Sequence, residues 1–142
     1  MFERTLAIIK PDGVRSLVIG EIIRRYEQSG LIPIAIRLTQ LTKEQAKAFY
    51  QVHCNQPFFN DLTSFMSSGP IVVLALEGEG AILRHRDLMG ATDPSKAAEG
   101  TIRKAFGASI DFNVVHGSDA PETAGKEIEF FFTDSDLYSR TE

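Results

Sequence analysis

Apolar and polar positions along this chain change period several times, and each change marks an element. Thr5 to Ile9 is a short apolar run rich in strand formers, ended by the turn signature Lys10-Pro11-Asp12-Gly13. Ile19, Ile22, Ile23 and Tyr26 then recur at helical spacing, with Glu21, Arg24, Arg25 and Gln28 on the other face and Gly30 as the stop. Ile32, Ile34, Ile36 and Leu38 alternate along a second strand. Pro33 cannot donate to a ladder, which assigns that strand to a sheet edge. Thr42 with Gln45 forms a capping box for a helix carrying Ala46, Phe49 and Tyr50. Pro57 opens a further helix with Phe58, Leu62, Phe65 and Met66.

The second half repeats the plan. Ile71 to Leu76 is continuously apolar and suits the sheet centre, and a helix through Ile82, His85 and Met89 follows. A turn-rich segment from Gly90 to Gly100 leads to a short helix through Arg103. Ile110 to Val115 reads as a fourth strand, and a last helix runs from near Pro121 to about Phe132. Strand–helix–strand, added helices, then strand–helix–strand most simply gives an α+β, ferredoxin-like sandwich with a four-stranded antiparallel sheet. A doubly wound parallel sheet is the alternative.

Composition narrows the function more than the fold. The 142 residues suit one domain, residues 1–142, with one core and no need of a disulfide or metal staple. The single Cys54 fits a reducing compartment and lacks the cationic setting of a nucleophile. No run reaches the roughly 18 apolar residues of a membrane span, and no basic leader is visible at the start, so a soluble cytoplasmic domain is expected. A net charge of −4 argues against broad or sequence-specific nucleic-acid binding, although a local cation cluster can still hold a small anion.

Common phosphate loops and metal-cluster spacings are missing: Gly78-Glu-Gly80 lacks a third glycine, and His53, His85 and His116 are far apart. What stands out is Asn113-Val-Val-His116-Gly-Ser-Asp119. Gly117 leaves the imidazole edge open, and Ser118 or Asp119 can cap the following helix, so donors converge near the ring. Such a histidine can accept a phosphoryl group as a nucleophile, or it can be a surface histidine beside a cap. Glu127 shares an inward helical stripe with Ala120, Ala124, Ile128 and Phe131. It is either the partner that fixes the His116 tautomer or a flank residue at the stripe's edge. Lys10 ends an apolar strand, where sites often form, and Arg86 and Arg103 sit at element ends; Arg84 and Arg86 also fit a solvated face. Of the adjacent Phe58 and Phe59, one can pack inward and leave the other for stacking on a base, or both can pack.

Together these pieces resemble the nucleoside diphosphate kinase family along nearly the whole chain. The matching stretches are Ile9-Lys-Pro-Asp-Gly-Val14, Gly20-Glu-Ile22, Phe49-Tyr50, Pro57-Phe-Phe59, Ser68-Gly-Pro70 and Leu76-Glu-Gly78. Gly90-Ala-Thr-Asp-Pro94, Gly100-Thr-Ile-Arg103, Asn113 through Asp119 and Glu127-Ile128 follow in order. Each is weak alone; their order is specific. The resemblance implies a ping-pong phosphotransferase in which His116 carries the phosphoryl group between a nucleoside triphosphate and a diphosphate. It implies that Lys10 and Asn113 contact ribose and phosphates, and that Arg86, Thr92 and Arg103 hold phosphates. Tyr50 and Ser118 would flank the histidine, Glu127 would orient it, and Phe58 would stack on the base with Ile110 closing its other side. Mg²⁺ would be the cofactor, carried by the nucleotide phosphates and not by a protein metal site.

One departure is Asp93, where the family usually has asparagine; a modest effect is expected if its carboxylate points outward. The chain ends at Ser139-Arg-Thr-Glu142 without a longer tail, which favours a bacterial-type protein. Self-association is expected through a two-fold pairing of the Pro33 strand, with a homotetramer favoured over a hexamer. Two other functions share this fold, a non-catalytic nucleotide-binding module and an oligomeric scaffold with incidental catalysis. The joint presence of His116 and Glu127 speaks against the first, and only an assay separates the second.

Overall fold

The computed structural model describes residues 2–140. Its elements are β1 (Phe2–Ile9), α1 (Pro11–Arg15), α2 (Ile19–Gln28), β2 (Ile32–Thr39), α3 (Lys43–Phe49) and α4 (Phe59–Met66). They continue with β3 (Ile71–Glu79), α5 (Ala81–Met89), α6 (Ile102–Phe106), β4 (Val115–Gly117) and α7 (Pro121–Phe131). The strands form one sheet in the order β2-β3-β1-β4, and each neighbouring pair is antiparallel. This is the ferredoxin-like plan, and the antiparallel pairing rules out the doubly wound alternative.

Strand alternation divides the core. Leu6, Ile8, Val73 and Ala75 point to one face, covered by Tyr50, Met66, Ile128 and Phe131. Ala7, Ile9, Val72, Leu74 and Leu76 point to the other, under Ile22, Tyr26, Met89 and Ile102. With both faces covered, residues 6–9 of β1 and 71–76 of β3 read as continuous apolar runs. Gly30 ends α2 in the left-handed region at φ 80°. Its N–H donates to the Glu27 carbonyl and that of Leu31 to the Tyr26 carbonyl, the Schellman pattern. The Thr42–Gln45 capping box forms as expected, with reciprocal bonds of 3.0 and 2.8 Å.

Several expectations need correction. The fourth strand spans only Val115–Gly117, because the polar segment Asp111–Asn113 leaves the ladder and Val114 takes a φ of 78°. His116 therefore lies within the strand, opposite Ile8, and not just past its end. Neither Ser118 nor Asp119 is the cap of α7. That position is Ala120, whose N–H is taken by Thr123 Oγ1 at 3.0 Å. Lys10-Pro11-Asp12-Gly13 opens the short helix α1, with Pro11 at its first position, instead of a simple turn.

The edge assignment of β2 holds, but a register shift between Pro33 and Ala35 breaks its alternation. Ile34 is buried, whereas Ile36 and Leu38 are 55% and 64% exposed. The final segment covers part of this edge: the Tyr138 N–H donates to the Ile34 carbonyl at 2.9 Å, and Arg140 donates to the Pro33 carbonyl. Among the described residues no helix is long and apolar enough to cross a membrane.

Candidate functional site

Pairing of β4 with β1 puts His116 on the Ile8 face, beneath α3 and α7. Its Nε2 lies 2.9 Å from Glu127 Oε1, the inward carboxylate of α7. Ser118 Oγ donates to the same oxygen at 2.7 Å and accepts the Leu6 N–H at 3.3 Å, which ties the carboxylate to β1. A carboxylate only accepts, so Nε2 carries the proton and Nδ1 keeps the lone pair. Phe49 and Tyr50 stand edge-on to the imidazole, with ring centroids 5.4 and 5.9 Å away. The Tyr50 hydroxyl is buried with no hydrogen-bond partner among the described residues. Burial, with the Glu127 charge, pushes its ionisation well above the usual range, so it stays neutral.

The opposite face of β4 is supported by a second histidine. His85 of α5 is fully buried and makes a 3.1 Å bond from Nε2 to the Tyr26 hydroxyl. A Cβ at Gly117 would lie 2.5 Å from His85 Nδ1, so only glycine lets α5 sit this close to the strand. Burial, then the His116, Arg103 and Arg86 charges, depress the His85 pKa to about 3, which keeps it neutral.

A cavity of about 200 Å³ opens beside this strand, lined by Lys10, Arg86, Gly90, Thr92, Arg103 and His116. Lys10 Nζ donates to Asn113 Oδ1 at 2.8 Å, and Asn113 Nδ2 donates to the Thr92 carbonyl at 3.0 Å. Burial, reinforced by Arg103, lowers the Lys10 pKa to about 8. Arg103 braces the backbone around the cavity. Its guanidinium donates to the carbonyls of Asn113, Gly90 and Val115 at 3.3, 3.0 and 2.8 Å. Two of its five N–H donors are left over for a ligand. Arg86 is exposed on α5, as the solvated-face reading has it, yet it also lines the cavity.

The aromatic pair divides as the sequence allowed. Phe58 is 46% exposed at the start of α4 with His53 against it at 5.6 Å, whereas Phe59 packs on the core. Ile110 is 56% exposed, and its loop is tied to α4 by the edge contact of Phe112 on Phe65 at 5.1 Å. Asp93 accepts from the Ser95 N–H and hydroxyl at 3.0 and 2.8 Å, so its charge is held on the solvent side. Sequence reasoning missed Phe49 as a neighbour of the histidine, and Asp12, whose Oδ2 accepts the Val114 N–H at 3.1 Å. The adjacency of Phe49 to Tyr50 was the available signal for the first. Asp12 stands in the Lys10–Gly13 turn signature, but nothing in the sequence marks its contact with Val114.

Among the described residues, no three His, Cys, Asp or Glu gather to hold a metal ion. A larger hollow of about 450 Å³ lies between the start of β1 and α7. Its acidic lining includes Glu3, Glu129 and Asp134, and Arg4, its one base, is spent on Glu77. It does not suit phosphate. The smaller, cationic cavity beside His116 does.

The chain is similar to known proteins along nearly its whole length. A family model described as Nucleoside diphosphate kinase matches residues 3–137. A protein named nucleoside diphosphate kinase from Leptothrix cholodnii is 62% identical over 97% of this chain and 98% of its own length. Its counterpart from Burkholderia multivorans is 59% identical over the same shares. The nucleoside diphosphate kinase of Aquifex aeolicus superposes with a TM-score of 0.95 at 43% identity, covering 96% of this chain and 99% of that one. A halophilic one from Halobacterium salinarum, solved in complex with CDP, gives 0.94 at 39% identity, covering 100% and 95%.

Proposed function

The chain belongs to the nucleoside diphosphate kinase family, and on that premise we propose that His116 takes the γ-phosphoryl of a nucleoside triphosphate and passes it to a nucleoside diphosphate. The carrying observation is the His116–Glu127 bond, which leaves Nδ1 with its lone pair beside a cationic cavity. In the first half-reaction Nδ1 attacks the γ-phosphorus, a P–N bond forms, and the bond to the β-phosphate oxygen breaks to release the diphosphate. The second half-reaction reverses these steps with a new diphosphate. Glu127 offsets the imidazolium charge and fixes the ring, and Ser118 holds the carboxylate. Lys10, Arg86, Arg103 and the Thr92 hydroxyl neutralise charge that spreads over the transferring group.

Phe58 stacks on the base with Ile110 opposite. A slot built from stacking and not from hydrogen-bonding side chains accepts many bases, which supports broad nucleotide use. Mg²⁺ belongs to the substrate: the residues at the cleft are cations and suit a metal that arrives on the phosphates. The exposed Ile36 and Leu38 support a two-fold dimer through the outer half of β2, with a tetramer built from such dimers. Cytoplasmic residence goes with nucleotide substrates of this kind. The test is brief incubation with γ-labelled ATP and Mg²⁺ followed by a GDP chase. An acid-labile label that leaves as GTP supports the reading; an enzyme that never takes label ends it.

A further inference from the structure

Two residues before His116 the backbone adopts a conformation that its side chain disfavours. Val114 is β-branched, 1% exposed and set at φ 78°. The Val115 N–H donates to the Asn113 carbonyl at 2.9 Å, so residues 113–115 make a γ-turn of the rare positive-φ kind. A branched residue persists there only when its surroundings dictate it.

Those surroundings come from one short stretch. The Val114 N–H donates to Asp12 Oδ2 at 3.1 Å, and its carbonyl accepts the Lys10 N–H at 2.7 Å. Gly13 completes the grip, since a Cβ there would lie 2.9 Å from Val114 Cγ1. The second Asp12 oxygen is buried with no hydrogen-bond partner among the described residues, a cost that a merely solvated aspartate would not carry. β4 begins at the next residue and pairs at only three positions, so its ladder alone fixes the histidine weakly. The same turn carries the carbonyls that Arg103 holds and the amide that receives Lys10. Cations and nucleophile thus share one strained hinge.

We propose that Asp12 is a positioning residue for phosphoryl transfer: by holding Val114 in the γ-turn, it fixes the direction in which β4 presents His116 to the phosphate-binding cations. Asp12 does not line the cavity beside His116. The proposal rests on His116 being the phosphoryl acceptor.

A double-mutant cycle on the full chain separates positioning from general support. The readouts are the single-turnover rate of phosphoenzyme formation from ATP and Mg²⁺ at pH 7, the nucleotide affinity, and the site of label after proteolysis. Asp12→Ala should slow phosphorylation by about tenfold or more with little change in affinity, as expected for a misdirected nucleophile. Asp12→Asn, which keeps an oxygen acceptor, should recover most of that loss. In a Val114→Gly background residue 114 reaches positive φ unaided, so Asp12→Ala should cost less than about threefold. Val114→Asn, also tolerant of positive φ, replaces that background if the glycine variant does not fold. An equal loss in both backgrounds, or a wild-type rate for Asp12→Ala with label on His116, overturns the positioning role. Label on another residue in the wild type overturns the nucleophile assignment, and this proposal with it.

Discussion

The two edges of the sheet are built for different work. β2 at one edge is eight residues long, bulged, and apolar on its outer half, where Ile36 and Leu38 face solvent. β4 at the other edge is three residues long and begins beside a strained turn. It is held as much by side chains, Asp12, Arg103 and Ser118, as by its ladder. A long apolar edge stabilises by being covered, whereas a short one braced by polar side chains can present a reactive group in a fixed direction. The proposed assembly edge and the proposed catalytic histidine lie on opposite sides of the β1–β3 pair.

The largest effect should come at the β4 edge. His116→Ala should abolish phosphoenzyme formation and transfer while thermal unfolding stays near wild type. Labelled enzyme in that variant would move the chemistry elsewhere.

Next come the cations. Lys10→Ala should lower the transfer rate by roughly 10²-fold or more, with a smaller change in binding. A loss confined to KM would mean that Lys10 provides only uniform binding. Because the free-enzyme Lys10 pKa is lowered to about 8, kcat/KM should fall as pH rises through that value and the charge is lost. Lys10→Arg should remove this alkaline limb. Arg103→Lys should do more harm than a charge-conserving change suggests, since three backbone carbonyls around β4 lose their fork-shaped donor.

Glu127→Gln should slow phosphorylation by about tenfold with nucleotide affinity intact, because an amide can donate to Nε2 and favour the wrong tautomer. An unchanged rate would detach Glu127 from the histidine.

His85 makes a smaller prediction, one of stability. Its folded pKa lies near 3, far below the ordinary value of 6.5, so between these limits the unfolded chain binds the extra proton. Stability from this group is complete above pH 6.5 and is lost as pH falls. By pH 5 the loss should be about 2 kcal/mol. Denaturant melts at pH 5 and 7 should show this difference shrinking in His85→Gln; an equal pH dependence in the variant would leave the histidine without a part in it.

At the β2 edge the effect on chemistry should be least. Leu38→Glu should reduce the assembled mass toward the 15.7 kDa monomer, as light scattering reads it, with transfer per chain little changed. A wild-type assembly in that variant would remove this edge from the interface.

What the sequence could and could not show follows the same division. The apolar runs of β1 and β3 and the stripe of α2 were legible because burial imposes period and composition on them. Lys10 at the end of an apolar strand, Glu127 in an inward apolar stripe and His116 among small and polar residues beside Gly117 were legible as candidates. The end of β2 was misread because a one-residue bulge reverses inside and outside without changing composition. The fourth strand was misplaced because Val114, a good strand former, is forced out of the strand by Asp12, a contact 102 residues away in sequence. The tail's bonds to β2 are equally long-range. Local pattern carries no trace of such contacts.

The most direct test of the account is to find which imidazole nitrogen carries the phosphoryl group. Protein labelled with ¹⁵N-histidine, phosphorylated with ATP and Mg²⁺ and examined by phosphorus–nitrogen coupled NMR, answers it. Since Glu127 occupies Nε2 at 2.9 Å, the account predicts phosphorus bound to Nδ1 of His116. Phosphorus on Nε2, or on another residue, would contradict it.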